Sequence, residues 1–307
     1  MARIRLLRET EIMRHASHQP AVAVPPARTP RVGRDSPLFV GSLEKGLRVF
    51  SAFDDAHRAL RLTEIAAVTG LDKSAAQRFT HTLHELGYLR KDPKTKHYRL
   101  APKVLELGFT YLRTDNLVER ATPYLLEAHK RTEETVNLTE LDGTDIVYVA
   151  RVPSRHQITF DVVLGTSLPA YCTAPGRAML AFMPDEQSRS IAERSNRIAY
   201  TDKTLTDLNA LAAAHARARR DGYALISEEF SPGEISIAAP VLDFARQPIA
   251  AVNMAVPMSR WTLQMIERKL VPVLIETAQA IARSEGGPTG LPPLRRTRLP
   301  QIKRAPR

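Results

Sequence analysis

In the N-terminal third of the chain, apolar residues recur every three or four positions in three short segments. This spacing places them on one face of a helix, so it predicts three helices, at about 42–50, 62–70 and 72–86. Ser42 and Thr63 stand where the first two helices could be capped, and Gly70 stands where the second would stop. The apolar face of the first helix holds Leu43, Leu47 and Phe50.

Two short alternating segments follow the third helix and predict strands at 88–91 and 97–100, joined by a basic turn. Three helices and a basic hairpin form a winged helix-turn-helix, in which the third helix enters the major groove of DNA. The hairpin then lies along the phosphate backbone or in a minor groove. The candidate DNA contacts are Lys73, Ser74, Gln77, Arg78 and His81 on the helix and Lys91, Lys94, Lys96 and Arg99 on the hairpin.

These side chains suit different parts of a DNA interface. Gln77 matches the donor and acceptor of adenine, while Arg78 and Lys73 can donate to guanine or to phosphate. The basic residues of the hairpin offer phosphate contacts, which position a protein without specifying a sequence. An alternative reading is that Ser74 and Gln77 only close the helix N-terminus as a capping box, and that the basic face is merely solvated.

After Pro102 the pattern changes. A helix is predicted at 102–116, and its apolar residues spread around much of its circumference. This spread predicts that the helix is buried on more than one side, so a second copy of the protein is a natural partner. Farther along, short strands and helices predict an antiparallel sheet with helices on its sides, an α+β arrangement. The predicted strands are 136–141, 146–151, 158–163, 224–227, 235–242 and 249–256; the helices are 117–132, 174–182, 185–195, 207–220 and 263–283.

Composition and charge refine this division. The 307 residues suffice for about two domains, and the formal charge of +11 suggests an anionic partner. Residues 1–36 carry a net +4 and residues 285–307 a net +5, whereas 102–284 carry −2. Both ends are interrupted by proline and lack an apolar period, which predicts disordered basic tails. The DNA-binding prediction therefore depends on the third helix and the hairpin, whose segment 37–101 carries +4.

Several other functions have little support in the sequence. The single cysteine, Cys172, favours a reducing cytoplasm and excludes disulfides within the chain. No apolar run reaches the about 18 residues of a membrane span, and no signal peptide is visible. The scattered histidines predict no metal site, and no cofactor is expected. An enzyme using Cys172 with His156 or Arg177 is an alternative, although a small buried side chain is the simpler interpretation of Cys172.

Several phrases of the sequence resemble the IclR family of bacterial transcriptional regulators, among them GSLEKGL, LTEIA, TAPGRA and SIAAPV. The resemblance runs in order from about 38 to 284. The phrases at 72–80 and 200–207 resemble the branch that controls aromatic-acid catabolism, including that of protocatechuate and 4-hydroxybenzoate. The matching segments are 41–47, 62–66, 69–71, 82–83, 86–88, 104–108, 145–151, 173–178, 222–225 and 236–241.

The resemblance implies a GAF-like effector-binding domain and a homodimer, or a dimer of dimers, on a double-stranded operator. By motif position it implies a pocket for a small organic acid. The implied pocket residues are Thr173, Ala174, Pro175, Gly176, Ile226, Ser236, Asn253 and Ala255. The expected organisation is a basic tail (1–37), the winged helix-turn-helix (38–101), a linker helix (102–116), the effector domain (117–284) and a second tail (285–307).

Physical features of this pocket favour an acid with an apolar body. The helix N-terminus at residue 174 presents free N–H groups that suit a carboxylate. Ile226 and Ala255 are apolar, which favours a ligand such as an aromatic ring. Each residue also has a purely structural alternative. The Ser236 hydroxyl would bond to its own strand, the Asn253 amide would satisfy backbone groups at a turn or strand edge, and Arg177 would pair with Glu228 or Glu229. A DNA-binding architectural protein without an effector is a further alternative for the whole chain.

Overall fold

The computed structural model describes residues 36–54, 56–155 and 162–284. The predicted tails at 1–37 and 285–307 lie almost wholly outside these residues. Most of the strand predicted at 158–163 lies outside them as well, and its last two residues are not in a strand.

Three helices and a two-stranded hairpin form the N-terminal part, as predicted. The strands of the hairpin are antiparallel, with Arg90 opposite Arg99. An isolated bridge between Leu60 and Tyr98 ties the chain before the second helix to the hairpin. A small apolar core holds these elements together and includes Ile65 and Leu83. The elements are α1 (Gly41–Arg48), α2 (Leu62–Thr69), α3 (Lys73–Glu85), β1 (Leu89–Lys91) and β2 (Tyr98–Leu100).

The first two helices do not use the predicted caps. Ser42 and Thr63 both lie inside their helices, one residue past the first helical position. At the start of α2, the backbone N–H of Arg61 donates to the Glu64 carboxylate at 2.7 Å, which replaces a hydroxyl cap. The predicted stop is confirmed, because Gly70 adopts a left-handed conformation with φ of 65°.

Two consecutive helices connect this part to the sheet: α4 (Val104–Thr114) and α5 (Asn116–Thr132). Asp115 separates them, and its side chain accepts from the backbone N–H of Leu117, which caps α5. Helix α4 has no buried residue. Its Tyr111 hydroxyl donates to the Glu140 carboxylate at 2.6 Å, so a hydrogen bond joins the linker to the sheet.

A six-stranded sheet forms the C-terminal part, in the order β5-β4-β3-β8-β7-β6, and every neighbouring pair is antiparallel. The α+β prediction is therefore confirmed. The strand at 167–169 was not predicted, and it pairs with β4 at the edge of the sheet. The strands are β3 (Val136–Asp142), β4 (Asp145–Val152), β5 (Ser167–Pro169), β6 (Ala224–Ser227), β7 (Glu234–Leu242) and β8 (Pro248–Pro257).

Helices cover both faces of this sheet. One face packs against α5 and the last helix in a large apolar core. The opposite face packs against α6, which runs across the central strands. The helices that follow β5 are α6 (Ala174–Phe182), α7 (Asp185–Arg194), α8 (Leu208–Asp221) and α9 (Val271–Ser284), the last preceded by a helical turn (Leu263–Met265) and a π-helical segment (Ile266–Leu270). Within the described ranges, no helix combines the length and apolarity needed to cross a bilayer.

Candidate functional site

The polar face of α3 is exposed to solvent. All five side chains predicted on it, Lys73, Ser74, Gln77, Arg78 and His81, are exposed, whereas Ala76, Thr80 and Leu83 face the core. Asp72 caps the helix by accepting from the backbone N–H of Ala75 at 2.8 Å. The capping box of Ser74 and Gln77 is therefore not used. Gln77 makes no side-chain hydrogen bond within the described part of the chain.

The hairpin presents a second basic surface. Lys91, Lys94, Lys96 and Arg99 are all exposed, and so is Arg90, which was not predicted. The Asp92 carboxylate holds the turn by accepting from the backbone N–H groups of Lys94 at 2.8 Å and Thr95 at 3.0 Å. These bonds lower the pKa of Asp92. The Asp92 carboxylate therefore holds the turn through backbone hydrogen bonds, while Lys94 and Lys96 beside it are exposed.

A cavity lies between the sheet and the start of α6. The space within it that water molecules can occupy is about 30 Å³. The whole concavity up to its mouth holds about 470 Å³ outside atoms. The enclosed part has room for about two or three waters, so a ring-sized ligand must widen it. Six of the eight predicted pocket residues line it: Thr173, Ala174, Pro175, Ile226, Ser236 and Ala255.

The other two predicted pocket residues, Gly176 and Asn253, lie beside the cavity instead of lining it. Gly176 packs so tightly on the backbone of Ala170 that a Cβ there would lie 2.6 Å from the Ala170 carbonyl carbon. This close approach requires glycine. Asn253 is 1% exposed, and its Oδ1 has no hydrogen-bond partner among the described residues. The amide therefore does not serve as a fully satisfied strand-edge group.

Sequence reasoning missed the part of the cavity wall that β3 and β4 contribute. Asn137 of β3 lies directly between Arg151 of β4 and Asn253 of β8 in the register of the sheet. The Arg151 guanidinium donates to Asn137 Oδ1 at 3.2 Å. Arg151 is thus a cation at the cavity. The lining residues that were not predicted are Thr135, Asn137, Tyr148, Arg151, Val162, Leu168, Phe230 and Glu234.

Two polar side chains of β7 face the cavity. The Ser236 hydroxyl makes no hydrogen bond within the described part of the chain, so its predicted alternative, a bond to its own strand, does not occur. Glu234 likewise makes no side-chain hydrogen bond or ion pair with a described residue. Burial raises the pKa of Glu234 to about 7, since little in its surroundings compensates the charged form.

Arg177 is a structural residue and does not line the cavity. Its guanidinium donates to both carboxylate oxygens of Glu229, at 2.6 and 2.7 Å, and also to the Tyr171 carbonyl at 3.2 Å. The side chain is 3% exposed. Of the two partners considered for it, Glu229 is correct, because Glu228 pairs with Lys203 instead.

The catalytic alternative finds no support at Cys172. The side chain is completely buried, and burial raises the pKa of its thiol to about 12. Its contact is a weak donation to the Pro169 carbonyl at 3.8 Å. The proposed helper His156 lies outside the described residues, and Arg177 is held by Glu229. Within the described ranges, no three His, Cys, Asp or Glu side chains could hold a metal together.

A helix-turn-helix with an exposed reading face, attached to a sheet domain with a polar-lined cavity, is the architecture of a ligand-responsive transcriptional regulator. Comparison with known families agrees. Residues 42–93 match the IclR helix-turn-helix domain, and residues 109–283 match the bacterial transcriptional regulator IclR C-terminal domain. The chain therefore belongs to the IclR family of bacterial transcriptional regulators, as its sequence phrases indicated, and it is a regulator, not an enzyme.

Individual relatives give the same assignment. The chain is 35% identical over 265 residues to the Pca regulon regulatory protein of Pseudomonas putida, covering 86% of this chain and 90% of that one. It is 30% identical to the p-hydroxybenzoate hydroxylase transcriptional activator of Acinetobacter baylyi, covering 79% and 91%. A crystal structure of a transcriptional regulator from Rhodococcus sp. RHA1 is 37% identical with a TM-score of 0.70, covering 81% of this chain and 99% of that one.

Proposed function

We propose that the protein is a homodimer, or a dimer of dimers, that reads a roughly palindromic operator and responds to a small aromatic acid. The observation that carries the DNA-reading half is the exposed polar face of α3 beside a basic hairpin. Residues 73–81 would lie in the major groove, and the lysines of the hairpin would contact phosphates. One such helix specifies too few bases for a unique site, so two copies are needed.

Apolar exposure supports the dimer. Leu105 and Leu107 are each 60% exposed and Phe109 is 58% exposed, all on the linker helix α4. Leu43 and Leu47 of α1, predicted to form an apolar face, are also more than half exposed. Large apolar side chains exposed together along one connecting segment favour an interface. A second copy that covers α4 would place two α3 helices on one face of the assembly.

The aromatic acid is proposed from the cavity together with the relatives. Groups that can donate to a carboxylate line it: the Ser236 hydroxyl, the N-terminal turn of α6 and the Arg151 guanidinium, which also donates to Asn137. Ile226 and Phe230 supply apolar wall for a ring. One relative is named for the Pca regulon and another for p-hydroxybenzoate hydroxylase. Because the cavity is small, the acid would widen it. This change of shape would favour one relative placement of the two DNA-binding domains of the dimer.

Fluorescence anisotropy with the DNA upstream of the gene tests the reading face. Gln77→Ala and Arg78→Ala should each weaken operator binding by about 1–3 kcal/mol and relax base preference, because base-edge contacts specify. Lys94→Ala should weaken all sequences alike and lower the salt slope by about 1. Arg189→Ala, an exposed arginine on α7, is the matched control. Unchanged affinity and preference in both α3 variants would refute the assignment.

Light scattering tests the dimer. Leu107→Lys should shift the protein toward a monomer, because a charge cannot be buried cheaply in an apolar interface. Lys130→Leu on α5 is a control on an exposed face away from α4. An unchanged mass in Leu107→Lys at micromolar concentration would place the interface elsewhere.

Calorimetry tests the effector, with 4-hydroxybenzoate, protocatechuate and short keto acids as titrants. Ser236→Ala should weaken the acid that binds, whereas Ser190→Ala on the exposed side of α7 should not. Equal affinities in both variants would move the site away from β7. A footprint on a discrete operator that no acid alters would instead support the architectural alternative.

A further inference from the structure

The wall of the cavity carries a carboxylate that no described group pairs with. Glu234 lines it without a side-chain hydrogen bond or ion pair to a described residue. Ser236, two residues along the strand, also lines the cavity without a side-chain hydrogen bond to a described residue. Glu234 is half-buried, and an ionised carboxylate in such a place is stabilised when a donor bonds to it. A ligand with a donor group would supply that bond.

Among the described residues, no cation forms an ion pair with Glu234. Arg151 is a cation on the cavity wall, but it belongs to β4, while Glu234 belongs to β7. Strands β3 and β8 lie between them, so their backbones are separated by three strand spacings, about 14 Å, across the sheet and by four residues, about 13 Å, along it. No salt bridge joins the two side chains. The cavity therefore presents a cation on one side and an acid on the other, which suits a ligand with two different polar ends.

The distance between Glu234 and Ser236 along β7 also suits a ligand with a polar group at each end. Glu234 and Ser236 lie on the same face of the strand, two residues and about 7 Å apart. Ser236 can donate to a carboxylate, whereas Glu234 in its ionised form can only accept. The separation is comparable with the length of a benzene ring with one substituent at each end.

We propose that Glu234 determines effector specificity by accepting a hydrogen bond from a hydroxyl of the ligand, so that hydroxylated carboxylic acids bind better than their unhydroxylated analogues. This inference rests on the proposed function, because it assumes that the cavity is the effector site. The carboxylate of the acid would lie toward Ser236, Arg151 and the start of α6.

The titration of Glu234 supports this assignment. Its pKa of about 7 means that both forms are populated near neutral pH. A hydroxyl that donates to it favours the ionised form, so the preference for a hydroxylated acid over its unhydroxylated analogue should rise with pH through this range. The ionised form repels the carboxylate of both acids, and the acid without a hydroxyl has no hydrogen bond to offset this repulsion, so its affinity should fall. Among the described residues, the other ionisable groups that line the cavity are Arg151 and Tyr148 of β4. Burial raises the pKa of Tyr148, so its hydroxyl stays neutral.

The test is calorimetry of the full-length protein with benzoate and the three monohydroxybenzoates. Wild type should bind the best hydroxybenzoate at least tenfold more tightly than benzoate. Glu234→Leu should reduce this ratio to within about twofold, because it removes the acceptor. Glu234→Gln should keep part of the preference for the hydroxybenzoate, because the amide oxygen still accepts a hydrogen bond. The preference should no longer change between pH 6 and 8, because an amide does not ionise. Glu186→Leu on the exposed side of α7 is the matched control.

The outcomes separate this inference from the proposed function. If wild type binds benzoate and hydroxybenzoates equally, the role of Glu234 is wrong while the aromatic effector stands. If no aromatic acid binds, the proposed effector is wrong, and the same comparison with lactate and propionate then decides the role of Glu234. A ratio that survives in a folded Glu234→Leu variant, or the absence of binding by every hydroxylated acid, overturns the inference. Melting temperatures of all variants confirm that each one is folded.

Discussion

Gly176 offers a sharp test of how the start of α6 is held. Replacing it with alanine adds a Cβ that would lie 2.6 Å from the carbonyl carbon of Ala170, and closer still to its Cα and oxygen. Comfortable carbon–carbon contact needs about 3.5 Å, so one backbone segment must move by about 1 Å. Both segments are completely buried, so neither can yield as an exposed side chain would.

The cost follows from this geometry. Overpacking of a buried site costs about 1–3 kcal/mol, and a backbone clash belongs at the upper end. Alanine recovers about 0.5–1 kcal/mol through its better helix propensity. We therefore expect Gly176→Ala to lower the free energy of unfolding by about 2–2.5 kcal/mol. At about 2–4 °C per kcal/mol for a protein of this size, the melting temperature should fall by about 4–10 °C.

Gly46→Ala is the matched control, because Gly46 is also helical and its new Cβ would lie 3.6 Å from a Phe79 ring carbon, an ordinary contact. This variant should be neutral or more stable by up to about 1 kcal/mol. Urea denaturation of both proteins measures the difference directly. If Gly176→Ala is within about 0.5 kcal/mol of Gly46→Ala, the tight packing of α6 on Ala170 is wrong.

Three further expectations follow from the structure. Arg177→Met should destabilise the protein by about 3–5 kcal/mol in urea denaturation, because it leaves the buried Glu229 carboxylate without its ion-pair partner. Arg189→Met removes an exposed ion pair and should cost under about 1 kcal/mol. Similar losses in the two variants would contradict this expectation. Burial lowers the pKa of His215 to about 4 from 6.5, so the stability that the neutral imidazole contributes is complete above pH 6.5 and is lost as pH falls toward 4. His215→Gln should therefore reduce the loss of unfolding free energy between pH 6.5 and 4 by up to about 3 kcal/mol. An unchanged dependence of stability on pH would refute the assignment. Removing residues 285–307, which carry a net +5, should flatten the salt dependence of DNA binding and leave operator preference intact; altered preference would show a role in readout.

The elements of this fold could largely be predicted from the sequence, because apolar spacing depends only on which face of each element is buried. Helix α6 and strand β6 occur at the predicted residues. The caps failed for a different reason. Ser42 has the right side chain for a cap, but the chain turns before it, and α1 begins without a side-chain cap. Strand β5 was missed because three residues ending in Pro169 carry no alternating pattern.

The cavity could be predicted only in part. Residues of α6, β6, β7 and β8 were reached through motif position. Arg151 and Asn137 were not, because their place in the wall depends on β3 lying between β4 and β8, and a sequence does not state which strands are neighbours. Glu234 stands one residue outside the predicted strand, where an acid looks solvated. Only the packing above the sheet shows that burial raises its pKa.

Strand β3 carries Asn137 on the face toward the cavity and Glu140 on the face toward the linker helix. Three residues, about 10 Å of extended chain, separate the two positions. The strand is thus a short piece of backbone that connects the cavity wall to the linker helix. Linkage then works in both directions: by whatever factor an acid changes the affinity for operator, operator DNA must change the affinity for that acid. Acid titrations of the free protein and of its operator complex should therefore give different constants.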